Sequence, residues 1–384
     1  MGLTRPTVGR RPRRRARRRP PTPTSGSERT APVEPARWAS PGVRAGGAIS
    51  LAFVLDTLLA EPPHRIHPVA LFGRLVAPID RERRFPRIVG ALASACFPLA
   101  AAGVAAGAVV AADRCSASLA RTRLSMPPAR GRSGTLGALV ASGLLFSTTS
   151  RRMLIDTAHG VIVASETDLP RARRDLRSLA GRDSTALSPG EIRSAAVESA
   201  GENLADGLIA PLLAFSLLAP RSLPAAAGAA TWTKAVNTMD SMLGYRSKPT
   251  GWAPARLDDL AMWMPARLSA LLLALTAGDP MALGAASKWA GAPPSPNSGW
   301  PMATLAAIAG VRLEKSGVYA LNPSAALPTT DDADRAVTLV SRAGVLASLL
   351  SVVALAFVEL VGRHSRSKSQ QRSASSEPRW PAWS

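Results

Sequence analysis

A chain of 384 residues carries a formal net charge of +21 and a mean hydropathy of +0.08. Two cysteines are too few for a disulfide framework or a cysteine-built zinc site. With 4 % aromatics the chain has no base-stacking platform, which argues against the nucleic-acid partner that the charge first suggests. Twelve arginines against Glu28 and Glu34 lie before Ala45, and five bases against Glu377 follow from Arg363. The body between carries only the remaining +7, as charged loops between long apolar stretches, the distribution of a membrane protein.

Residues 1–45 are Arg, Pro, Ser and Thr without apolar periodicity and predict a disordered basic extension. Residues 46–165 read as N-terminal membrane helices. Gly46–Ala60 and Ile66–Ile79 are each short of the ~20 residues a span needs and are parted by Glu61-Pro62-Pro63. They predict a broken or re-entrant entry, or one membrane helix followed by an interfacial one. Ile88–Ala112 is the cleanest span. Leu136–Ser150 continues past Arg151-Arg152 only if those arginines sit at an interface.

Residues 166–203 predict a polar extramembrane region leading into an acidic motif. Residues 204–362 return to membrane helices with polar loops: Leu204–Leu218, Leu223–Met242, Leu260–Thr276 and Ala343–Val361. Gly278–Leu327 reads as loop and short helix, and residues 363–384 as a disordered basic tail. The predicted fold is all-α, a polytopic integral membrane helical bundle with a small extramembrane helical region. Roughly four to seven segments are membrane-associated.

Ionisable groups beside membrane segments are costly, so each is a candidate for function. Glu198, Glu202 and Asp206 recur every fourth residue and share one helical face. Like charges at that spacing repel and need a cation, either magnesium or arginines. Lys234, Asn237 and Ser241 share another face, a grip for an anion or carboxamide, and Asp240 lies between them. In Ala255-Arg256-Leu257-Asp258-Asp259 the two acids point about 100° apart. Asp259 shares its face with Trp263 and Arg267 and is expected to meet a ligand, with Asp258 turned toward loop or solvent. Ser295-Pro296-Asn297-Ser298-Gly299-Trp300-Pro301 presents Asn297 and Ser298 on a tight backbone. Neither a GxxxxGK[ST] loop, a GxGxxG turn nor HExxH is present.

In this order the residues resemble the CobD/CbiB family of cobalamin biosynthesis membrane proteins, from about Ile49 to Val361. The resemblance rests on Leu55-Asp56 with His67-Pro68-Val69, and on Gly181-Arg182-Asp183 with Ala196-Val197-Glu198-Ser199, Glu202-Asn203 and Asp206-Gly207. Lys234-Ala235-Val236-Asn237-Thr238 to Gly244-Tyr245-Arg246, Gly251-Trp252-Ala253 with Ala255 to Asp259, and the Ser295–Pro301 loop complete it. The chain departs at Gly201, Ala60-Glu61-Pro62 and Leu204-Ala205.

The resemblance implies an acid–amine ligase, an adenosylcobinamide-phosphate synthase. It would attach aminopropanol, or its phosphate, to the propionate of adenosylcobyric acid, using ATP and magnesium. Glu198, Glu202, Asp206 and Asp259 would be catalytic, with Glu198 and Glu202 holding the metal. His67, Lys234, Asn237, Asp240, Arg256, Asp258, Asn297 and Ser298 would bind substrate. It further implies a multi-pass protein of the bacterial inner membrane, in contact with lipid and with other enzymes of the pathway, and without nucleic acid. A corrinoid transporter or binding protein would need polar groups along a path through the helices. A non-catalytic membrane sensor would not need the acidic sets intact.

Overall fold

A computed structural model describes residues 2, 41–62, 65, 67–81, 84–123, 134–244 and 248–375, with side chains left out at 119–123 and 366–375. Residues 35–384 fall in one compact unit, to which all that follows refers. Most of the expected N-terminal extension, together with Tyr245 and Arg246, lies outside the described residues.

Helix α1 (Pro41–Leu59) begins before the expected Gly46 and is long enough to cross a membrane. The short α2 (Pro68–Val76) follows, so the entry is one span and a short helix. Helix α3 (Pro86–Arg123) carries the cleanest apolar run. The chain then breaks at Thr149-Ser150 between α4 (Thr135–Thr148) and α5 (Arg151–Thr167). The break exists because Arg151 is drawn into a buried ion pair, its Nε 3.3 Å from Asp56 Oδ2 at the far end of α1.

Helix α6 (Leu169–Leu176) leads to α7 (Pro189–Leu204), which starts at a reciprocal cap: Glu191 N donates to Ser188 Oγ, and Ser188 N donates to Glu191 Oε2. A π-helical turn, Ala205–Ile209, joins α7 to α8 (Ala210–Leu218), and α9 (Leu223–Leu243) returns beside α3. Gly228 permits that approach, since a Cβ there would lie 3.0 Å from the Ala102 carbonyl oxygen.

Helices α10 (Trp252–Ala261) and α11 (Trp263–Ala277) bend by 45° at Met262. The segment expected to be loop and short helix holds α12 (Met281–Ala286), α13 (Gly299–Ala309) and an antiparallel hairpin of β1 (Leu313–Lys315) and β2 (Tyr319–Leu321). Three-residue strands are too short to show alternation in sequence. Helix α14 (Thr330–Ser375) contains the expected terminal span and stays helical well past Arg363, where the tail was expected to begin.

Among the described residues four stretches are long and apolar enough to cross a membrane, Pro41–Leu59, Pro86–Ser118, Pro189–Leu218 and Thr330–Ser365, with α10–α11 a fifth if counted as one span. Exposed Leu92, Leu99 and Val104 on α3, and Val353, Phe357 and Leu360 on α14, form the faces a bilayer would cover. The two ends of the bundle can be told apart. At one, Gly42 N donates to Glu359 Oε2 at 3.3 Å, joining the start of α1 to the far part of α14. At the other, Arg151 joins Asp56 to Ser341, and Ser150 N donates to the Gly207 carbonyl. Ser341 to Glu359 is about 27 Å of helix, close to the ~30 Å of a hydrocarbon core. The polar residues before Gly207 on α7 therefore cluster at the end opposite both termini of the described bundle.

Candidate active site

Glu198 is 1 % exposed on α7, and its charge is met by protein groups. Arg182 Nη2 and the Tyr319 hydroxyl both reach Glu198 Oε2 at 2.6 Å, while Ser194 Oγ donates to Oε1 at 2.8 Å. The same knot holds the hairpin: Arg182 Nη1 donates to the Glu314 carbonyl, and Glu314 N donates to Ser194 Oγ. The loop that delivers Arg182 is fixed by Asp183, whose carboxylate accepts from Thr185 N and Oγ1. Those two bonds hold the exposed Asp183 below its ordinary range. Burial works against the charge of Arg182, but Glu198 outweighs it and raises the guanidinium above its usual value. Burial, reinforced by Glu198, pushes the Tyr319 hydroxyl well above the ordinary range, so it remains a donor.

Two adjoining cavities open here. The first, about 330 Å³, is lined by Glu202, Asp206, Asp240 and Asp258, with Asn237 and Arg177 among its other walls. The second, about 270 Å³, is lined by Glu198, Glu202, Arg182, Lys315 and Tyr319. Gly181, Glu202, Ser295 and Ser298 belong to both. The first cavity carries four carboxylates and Arg177, while in the second Arg182 and Lys315 stand beside Glu198 and Glu202. Gly201 brings α13 close enough to close the wall, since a Cβ there would lie 2.8 Å from Leu305 Cδ1.

The acidic stripe is thus divided between roles. Glu198 turns into the ion-pair knot and Glu202 stands in both walls. Asp206, carried on the π turn, accepts from Asn237 Nδ2 at 3.1 Å. The expected Glu198–Glu202 metal pair does not fit. Both oxygens of Glu198 are taken by Arg182, Tyr319 and Ser194, and among the described residues no three His, Cys, Asp or Glu side chains are grouped to hold an ion. The compensating cation is the arginine.

The pair on α10 is reversed from expectation. Asp258 is buried and lines the acidic cavity. Asp259 faces Arg256, 3.6 Å away, and Arg256 is mostly exposed and lines neither cavity. Packing of α10 against α9, with the bend at Met262, sets which acid points inward.

Asn297 lies in the wall, but its amide is spent on structure. Nδ2 donates to the Asp259 carbonyl at 2.7 Å, and Oδ1 accepts from Arg267 at 3.0 Å. Arg267 stacks on Trp263 and Trp300. Ser298 lines both cavities, as Asn237 and Asp240 line the acidic one. Lys234 lines an apolar groove with Phe72, Phe97 and Val104, and its charge also acts on Asp206, which accepts from Asn237. His67 is not in either cavity: its Nδ1 caps α2 by accepting from Val69 N at 3.2 Å. Tyr319, Lys315 and Arg177 were not among the expected residues, and only Arg182 had a sequence signal, in Gly181-Arg182-Asp183.

A family model described as CobD/Cbib protein matches residues 49–349. A probable cobalamin biosynthesis protein CobD of Methanothrix thermoacetophila is 36 % identical over 310 residues, 79 % of this chain and 95 % of the relative. Cobalamin biosynthesis proteins CobD of Geobacter metallireducens and Klebsiella pneumoniae are 37 % and 36 % identical, covering 75 % and 68 % of this chain and 87 % and 80 % of those relatives. No solved structure matches. Matched over most of its own length and most of its relatives' length, the chain belongs to the CobD/CbiB family of cobalamin biosynthesis proteins.

Proposed function

We propose that the chain forms the amide bond between the propionate of adenosylcobyric acid and the amine of aminopropanol or its phosphate, with ATP activating the acid. The supporting observation is the zoning of one cleft. Four carboxylates and Arg177 line one cavity, Lys315 and the Arg182–Glu198 pair line the next, and Glu202 stands in the wall of both. A primary amine arrives as a cation, because its pKa resembles that of lysine. The propionate and the phosphates arrive as anions, so a ligase for this pair gains from cations such as Lys315 and Arg177 set beside a carboxylate-rich site. A corrin ring is too large for either cavity, and only its propionate arm enters.

Activation moves the terminal phosphoryl group of ATP to a propionate oxygen, giving an acyl phosphate and ADP. The amine nitrogen, having lost a proton to Glu202, attacks the acyl carbon, and phosphate leaves with that oxygen. Lys315 balances the phosphate charge, while Arg182 stays paired with Glu198 in the same wall. A transporter fits less well, because the polar groups of the cleft gather at one end of the bundle instead of along a path through it. The reading places the chain as a multi-pass protein of a bacterial inner membrane.

The test is conversion by the full chain in lipid nanodiscs, supplied with adenosylcobyric acid, ATP and either aminopropanol or its phosphate. The expected result is the amide, seen by mass, with ADP released in equal amount. Unchanged corrinoid with both amines would overturn the reading.

A further inference from the structure

We infer that the acidic cavity is the subsite for the amine donor, with the ammonium group seated at Asp258 Oδ1. The inference rests on the ligase reading and assigns one of its substrates to one half of the cleft. Asp258 is 9 % exposed, and its Oδ1 is buried with no hydrogen-bond partner among the described residues. An unsatisfied carboxylate oxygen in such a place is expensive unless a ligand completes it.

Asn237 also bonds the Asp258 carboxyl group, but no neighbouring polar group completes Oδ1. Asn237 Nδ2 donates to Asp206, Ser241 Oγ donates to the Asn237 carbonyl, and both ends of the Asn297 amide are taken. Lys234 feels the charges of Asp206, Glu61 and Asp258, yet it lines the apolar groove and not this cavity.

Two kinds of cation would answer four carboxylates. A divalent metal held by the protein alone needs several oxygens on one point at about 2.0–2.6 Å, and among the described residues no group of three is placed to build such a site. A primary ammonium has three donors and tolerates acceptors spread around a cavity at ordinary hydrogen-bond distances. Glu202 and Asp206 supply further acceptors on the α7 side, and Asp240 on α9. The cavity of about 330 Å³ suits a small amino alcohol. Where the donor is phosphorylated, its phosphate lies toward Arg177 or across Glu202 toward Arg182 and Lys315.

The experiment compares wild type, Asp258→Asn and Asp259→Asn in nanodiscs, titrating aminopropanol and adenosylcobyric acid separately. Asp258→Asn is expected to raise the apparent KM for aminopropanol about 10- to 100-fold, the worth of one charged hydrogen bond. The KM for the corrinoid should stay within about twofold, and Asp259→Asn should change neither. Should Asp258→Asn make no product, calorimetric titration with aminopropanol takes the place of kinetics, with binding expected to wild type and lost in the variant. Wild-type turnover together with an unchanged amine KM or affinity in Asp258→Asn would overturn the subsite. Aminopropanol binding that depends on Asp258, in a wild type that forms no amide, would support the subsite while removing the ligase reading.

Discussion

Glu198→Ala is expected to destabilise the protein by about 3–5 kcal/mol, the range for stripping one partner from a buried pair. The loss is large because Glu198 accepts from Arg182, Tyr319 and Ser194 at once, and these come from the 181–183 loop, β2 and α7 itself. Removing the carboxylate leaves a buried guanidinium without its counter-charge and frees the hairpin from α7. A melting curve of detergent-purified protein reads this directly. The double variant Glu198→Leu with Arg182→Met should recover much of the lost stability, since removing both charges avoids the unpaired one. A Glu198→Ala protein that melts like wild type would show that the knot is not what holds the hairpin.

Glu202→Gln should behave in the opposite way. Its neighbour one turn earlier is fully bonded, but Glu202 stands in the wall of both cavities, where the amine and the activated acid must meet. Glutamine keeps the shape and removes the group proposed to take the amine's proton. Turnover at saturating substrates is expected to fall roughly 10²- to 10⁴-fold, the usual worth of a positioned base. Melting should be unchanged or slightly improved, because one of several like charges is gone. Turnover within threefold of wild type would remove Glu202 from the mechanism.

These two acids look alike in sequence, and that shows where sequence reasoning stopped. The four-residue spacing placed Glu198, Glu202 and Asp206 on one helical face, but it carried no information about what packs on each. Tyr319 lies 121 positions from Glu198 on a strand of three residues, too short for a pattern. The π turn at Ala205–Ile209 also breaks the simple register before Asp206 reaches Asn237. For Asp258 and Asp259 the helical geometry gave the angle between them. Which one faces inward is set by packing against α9 and the bend at Met262, both tertiary facts.

Local chemistry was legible where it was used. The apolar runs of α3 and α14 announce spans by length alone. His67 before Pro68 carried a helix-start signal, with proline at the first helical position, although the family motif drew attention to a substrate role instead.

The central claim is that this chain makes the amide that turns a cobyric acid into a cobinamide. The most direct measurement is growth of a bacterium that cannot form cobinamide, carrying this chain or its Glu202→Gln variant at matched membrane levels. With cobyric acid supplied, the wild-type chain should restore cobalamin-dependent growth and the variant should not, while supplied cobinamide rescues both. Failure of the wild-type chain on cobyric acid, with the protein present in the membrane and growth on cobinamide intact, would contradict the account.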